Sequence, residues 1–100
     1  MWLIVMFDLP VTTPKERKLA TKFRKDLLDM GFLMAQYSIY SRPANNKQKV
    51  RSIVTAIKRK LPNAGSVNIL EITDKQYEKM KCFRGRVKEK TDILEQLSLF

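Results

Sequence analysis

A chain of 100 residues, 44% of them hydrophobic, can build one hydrophobic core but not two. Its 20 lysines and arginines outnumber its 10 aspartates and glutamates, for a formal charge of +10. With no histidine and a single cysteine, an internal disulfide, a protein-built zinc site and a histidine general base are all excluded, and a reducing, cytoplasmic setting is expected.

The run Trp2-Leu3-Ile4-Val5-Met6-Phe7 is too short to span a bilayer and lacks the basic start and cleavage site of a secretory signal. It reads as a strand, apolar at every position like a central strand covered on both faces. Thr13-Pro14-Lys15-Glu16 supplies a capping box with proline at the first helical position. Leu19, Ala20, Phe23, Leu27 and Met30 then recur at helical spacing up to Gly31, which can adopt the left-handed conformation that ends a helix. Residues 32–42 are rich in aromatic and β-branched side chains and are closed by Pro43; they form two short strands or one kinked strand.

Asn45 or Asn46 caps a second helix, in which Val50, Ile53, Val54, Ile57 and Leu61 form the apolar stripe and Pro62-Asn63-Ala64-Gly65 the stop. Residues 66–73 read as another strand with apolar residues on both sides. A helical turn follows Asp74, then a candidate strand over residues 82–87 in which Cys82 serves as packing. Residues 1–86 are expected to form the domain, and residues 87–100 a charged tail that docks on a partner.

This order predicts an α+β, ferredoxin-like βαββαβ sandwich: an antiparallel sheet with two helices on one face. The other face would be left bare. Trp2, Ile4 and Met6 alternate with Leu3, Val5 and Phe7, so both faces are apolar, and a homodimer packed sheet to sheet about a two-fold axis is expected.

The charge is unevenly placed. Residues 42–60 hold seven basic side chains and no acidic one, and the first helix adds Lys15, Arg17, Lys18, Lys22, Arg24 and Lys25. Such a field attracts a polyanion with steep salt dependence, and Arg17, Lys18, Arg24, Arg42, Lys47 and Arg51 are the candidate nucleic-acid contacts; a merely solvated face is the alternative. A membrane surface fits poorly, because neither helix has the aromatic-rich apolar face of an interfacial anchor.

Asp8 directly follows the first strand. One reading makes it an Asx-type turn, its side chain bonded to the loop backbone. The other makes it a catalytic metal ligand. One carboxylate is a poor magnesium site, but a two-fold axis near the strand end would pair Asp8 with its copy and let one Mg²⁺ or Mn²⁺ ion be shared, where it would polarise a phosphodiester. Tyr37, Ser38 and Tyr40 either line this site or, for the aromatics, belong to the core.

The segments Leu3-Ile4-Val5-Met6-Phe7-Asp8-Leu9-Pro10, Glu16-Arg17-Lys18, Gln36-Tyr37-Ser38-Ile39-Tyr40 and Val67-Asn68-Ile69-Leu70-Glu71-Ile72-Thr73, in this order and within so short a chain, resemble the CRISPR-associated protein two family. The tail resembles the branch that accompanies single-effector systems. The resemblance implies a ferredoxin-like homodimer that bridges dimers of the larger CRISPR integrase subunit in spacer acquisition and carries double-stranded prespacer DNA on its basic surface. It also implies, for some relatives, a metal-dependent endonuclease on RNA or DNA with the metal at the position of Asp8. The tyrosine that often precedes that aspartate is Phe7 here, so a role for its hydroxyl is lost.

Three functions follow: a metal-dependent nuclease, a non-catalytic scaffold for integration, and a generic nucleic-acid-binding domain. The last lacks the glycine-rich aromatic strand by which such domains stack bases. The terminal Gln96-Leu97-Ser98-Leu99-Phe100 fits an added strand on the dimer partner or the integrase subunit. It also resembles the short peptide by which bacterial replication and repair proteins hold the sliding clamp.

Overall fold

The computed structural model describes residues 1–83 and 85. Strand β1 (Trp2–Asp8) leads to helix α1 (Pro14–Asp29); β2 (Leu33–Gln36) and β3 (Ile39–Pro43) form a hairpin; α2 (Lys47–Lys58) leads to β4 (Ser66–Ile72), and a short α3 (Asp74–Glu78) follows. The sheet order is β2-β3-β1-β4 with every neighbouring pair antiparallel. This is the ferredoxin-like arrangement, with β1 at the centre as its uninterrupted apolar run predicts. No helix among the described residues is long and apolar enough to cross a membrane.

Both ends of α1 are written in local sequence. The Glu16 amide donates to Thr13 Oγ1 at 3.1 Å, and the Thr13 amide donates back to Glu16 Oε1 at 2.9 Å, so two of the helix's unpaired N–H groups are satisfied reciprocally. At the other end the Phe32 amide donates to the Leu27 carbonyl and the Gly31 amide to the Leu28 carbonyl, both at 3.0 Å, with Gly31 at φ +90°. This is a Schellman motif, and Phe32 and Leu27 meet beneath it in the core. In α2 it is Asn46 that caps, accepting from the Lys49 amide at 2.8 Å.

The hairpin decides the alternative left open for residues 32–42. Tyr37 and Ser38 form a turn between the paired Gln36 and Ile39, with an irregularity between Met34 and Gln36. The turn lacks the glycine or asparagine that marks tight hairpins. It is held from outside: the Phe7 amide of β1 donates to the Ser38 carbonyl at 3.1 Å.

The core lies between sheet and helices. Leu3, Val5 and Phe7 of β1 and Tyr40 of β3 meet Phe23 and Leu27 of α1 and Val50, Ile53 and Ile57 of α2. Phe7 packs edge-on against Phe23, with ring centroids 5.2 Å apart. Three expectations shift. Leu19 is 40% exposed at the rim of the α1 stripe. Leu61 lies beyond the end of α2 and is 46% exposed, because the residue before Pro62 is pushed out of helical geometry. Cys82 is exposed rather than packed; of the strand expected over residues 82–87, residues 82, 83 and 85 are described and none is in a strand, and the tail from residue 87 lies outside the described residues.

On the other face of the sheet, α3 covers only one end. Tyr77 stacks on Trp2 at 3.7 Å with the rings 3° from parallel, and the N-terminal amine pairs with Asp74 at 2.8 Å. Among the described residues, Leu33 and Leu70 stand exposed on the rest of that face.

Candidate active site and nucleic-acid interface

The register of β1 assigns its residues to faces. Leu3, Val5 and Phe7 pair with Glu71, Ile69 and Val67 of β4 on the helix face. Trp2, Ile4, Met6 and Asp8 pair with Ile72, Leu70, Asn68 and Ser66 on the open face. Asp8 therefore ends the apolar stripe of the open face as its exposed, charged last member. The arrangement follows from the period-2 alternation of a strand.

The backbone at Asp8 is fixed by a residue that the sequence offered only as part of a helix stop. Gly65 adopts φ +91°, and a Cβ built on it would lie 2.5 Å from the Asp8 carbonyl oxygen and 2.9 Å from Leu9 Cδ2. Only glycine permits the α2–β4 loop to pass so close to the end of β1. The visible signal was a glycine immediately before a strand; the neighbour it must admit was not visible.

The oxygen-bearing side chains on the open face beside Asp8 are Ser66 and Asn68, both exposed. Hard oxygen donors suit Mg²⁺ or Mn²⁺. Among the described residues, one chain supplies a single carboxylate there, and no group of three or more His, Cys, Asp or Glu side chains is placed to hold a metal ion. Of the residues named with Asp8, Tyr40 is 2% exposed and belongs to the core, whereas Tyr37 is 69% exposed at the hairpin turn and Ser38 is partly buried there.

The basic residues of α1 and α2 lie on the helix layer, across the sheet from the Asp8 side chain, whereas Lys75 and Lys79 belong to α3 and its cap. On α1, Arg17, Lys18, Lys22 and Lys25 share one outer surface with Thr21. On α2, Arg51 and Arg59 share another with Gln48, Ser52 and Thr55. A cleft between the two helices has Leu19, Phe23 and Leu61 in its wall and Lys22, Arg59 and Lys60 at its rim. Asp26 stands in that rim and pairs with Lys22 at 3.3 Å.

The six candidate contacts are not equivalent. Lys18 and Arg51 are exposed and in none of the ion pairs among the described residues. Lys47 is 3.5 Å from Glu71. Arg17 donates to the Val11 and Thr12 carbonyls at 3.2 and 3.3 Å, bracing the loop before α1. Arg42 donates from Nη1 to the Met30 carbonyl at 2.6 Å and from Nε to the Pro43 carbonyl at 3.1 Å, so its guanidinium satisfies an orphan carbonyl at the end of α1. Arg24 lies over the Tyr37 ring. Sequence alone gives all six the same charge; only the fold shows which guanidiniums are occupied by the protein's own backbone.

The chain is thus a small ferredoxin-like α+β domain with a basic helix layer and an acidic residue at the end of β1. Residues 1–80 match the family model described as CRISPR associated protein Cas2. Over 89 residues, covering 89% of the chain and 82% of the relative, it is 47% identical to the "CRISPR-associated endoribonuclease Cas2" of Paracidovorax avenae. It is 44% identical over 101 residues, 100% of the chain and 88% of the relative, to the protein of the same name from Flavobacterium psychrophilum. The crystal structure of Streptococcus pyogenes Cas2 superposes with a TM-score of 0.64 at 15% identity, covering 84% of this chain and 100% of that one. The chain belongs to the Cas2 family.

Proposed function

We propose that the protein acts in CRISPR spacer acquisition as a homodimer packed through its open sheet faces, and that it cleaves phosphodiesters at a Mg²⁺ or Mn²⁺ ion held by Asp8 of both copies. The observation that carries this reading is the position of Asp8 at the end of the apolar stripe Trp2, Ile4 and Met6. Burying that stripe against its own copy is favourable by about 25 cal/mol per Å² of apolar surface. It also draws two carboxylates toward one axis, where an ion bound between them relieves their repulsion.

The relatives' name, endoribonuclease, makes RNA the first substrate to test, with DNA beside it. In hydrolysis, water adds to phosphorus as the bond to the departing sugar oxygen breaks, and that oxygen takes up a proton. The ion supplies stabilisation of the developing charge. Asp8 holds it, and the close approach of Gly65 fixes the backbone that presents Asp8.

The test is cleavage of single- and double-stranded RNA and DNA with magnesium or manganese, wild type against Asp8→Asn. Activity lost in the variant and with chelator is expected. Activity that survives both overturns the catalytic reading.

A second reading, a scaffold without catalysis, is favoured by the separation of the two features. The basic field lies on the helix layer, across the sheet from Asp8, so duplex prespacer DNA bound there need not approach the carboxylate. In this role the dimer bridges dimers of the larger integrase subunit. Duplex binding with an unchanged affinity in Asp8→Asn and no cleavage by the wild type would select it.

The tail Gln96-Leu97-Ser98-Leu99-Phe100 adds a partner. Docking on the second copy or the integrase subunit is the broader proposal, and capture by the sliding clamp the narrower one. Deleting residues 97–100 weakens integrase-subunit binding in the first case and spares it in the second. A fluorescent peptide of residues 95–100 that ignores purified clamp removes the second.

A further inference from the structure

The hairpin turn beside Asp8 carries an aromatic ring that is exposed on one side and backed by a cation on the other. Tyr37 is 69% exposed. Arg24 of α1 reaches over it with Cζ 4.1 Å from the ring centroid, and the same guanidinium lies 5.9 Å from the Phe7 ring. Arg24 Nε is buried and has no hydrogen-bond partner, and none of the ion pairs among the described residues involves Arg24. Among the described residues the guanidinium is thus positioned by π faces instead of by a carboxylate. Such a group is unlike Arg17 and Arg42, whose N–H groups are spent on backbone carbonyls.

The turn is also fixed relative to the candidate active site. The Phe7 amide, one residue before Asp8, donates to the Ser38 carbonyl, one residue after Tyr37. An exposed ring of this kind offers a base a flat apolar surface, while the cation behind it attracts the neighbouring phosphate. A base inside a duplex has both faces covered by its stacked neighbours. Away from its ends, a duplex therefore offers the ring no free base face.

We propose that Tyr37, backed by Arg24, is a stacking site for an unpaired nucleobase of the bound nucleic acid. This deepens the nucleic-acid reading given above and rests on it. Arg24 is the positioning residue; Tyr37 makes the contact.

The experiment uses the full chain with chelator present. Single-stranded RNA and DNA carrying 2-aminopurine, and blunt duplexes of the same sequence, are titrated against wild type, Tyr37→Phe and Tyr37→Ala at one salt concentration, with thermal melting as a folding control. Tyr37→Ala is expected to weaken single-strand binding about tenfold, the scale of one lost base–aromatic stack, and to change duplex binding less than about twofold. Tyr37→Phe should keep the wild-type affinity. The 2-aminopurine fluorescence should be quenched by wild type and Tyr37→Phe and not by Tyr37→Ala. Equal losses on single strand and duplex, no loss on either, or a Tyr37→Phe variant as weak as Tyr37→Ala would each overturn the stacking site. Wild type that binds no nucleic acid in any form would overturn the nucleic-acid reading itself, and the stacking site with it.

Discussion

On the helix face of the sheet, Leu3, Val5 and Phe7 are 6% exposed or less, whereas Trp2, Ile4 and Met6, interleaved with them in the same strand, are only partly covered. Leu33 and Leu70 on the open side are 68% and 49% exposed. The two faces share strands and hydrogen bonds. Among the described residues they differ in what covers them: α1 and α2 complete one face, and α3 reaches only the Trp2 end of the other. A covered apolar face stabilises the monomer; an uncovered one calls for a partner.

The comparison breaks first, and most severely, on the helix side. Phe23→Ala removes a 1%-exposed ring that packs against Phe7, and should lower unfolding free energy by about 3–5 kcal/mol in urea titrations. On the open side, Ile4→Lys should leave the fold intact and act on association. In the proposed sheet-to-sheet dimer each copy then loses an isoleucine worth about 1.5 kcal/mol, so dimerisation should weaken by at least about a hundredfold. Sedimentation would then report a mass near 11.7 kDa where wild type gives twice that. A variant that stays dimeric would move the interface elsewhere.

At the end of β1 the two faces meet, and Gly65→Ala tests their joint. The strain at φ +91° and the approach to the Asp8 carbonyl should cost about 1–3 kcal/mol, and cleavage should fall further than stability if Asp8 is displaced. The smallest effect belongs to the outer surface of the helices. Arg51→Gln should reduce the dependence of log affinity for duplex DNA on log salt by about 0.9, whereas Arg42→Gln should act on the melting temperature, because Arg42 serves the end of α1.

Much of this was legible in the residues because it is local. The capping box at Thr13, the left-handed Gly31 and the apolar stripes of both helices depend on neighbours three or four positions away, which sequence displays directly. The end of α2 was missed because Leu61 fits the stripe by spacing while Pro62 ends the helix by sterics. The hairpin is undecidable from sequence because its turn has no glycine or asparagine, and is held by Phe7 and Arg24 from elsewhere in the chain.

The sequence by itself determined the class of fold, the excess of positive charge on the helices and the acidic end of the central strand, since each follows from residue type and period. Only the tertiary structure decided how those features are apportioned. It set Asp8 on the face away from the basic helices, spent Arg17 and Arg42 on backbone carbonyls, left Lys18 and Arg51 exposed, and backed Tyr37 with Arg24. The reason is that a side chain's chemistry is fixed by its identity, whereas the partners that satisfy or free it come from residues distant in the chain, and are set by strand register and packing.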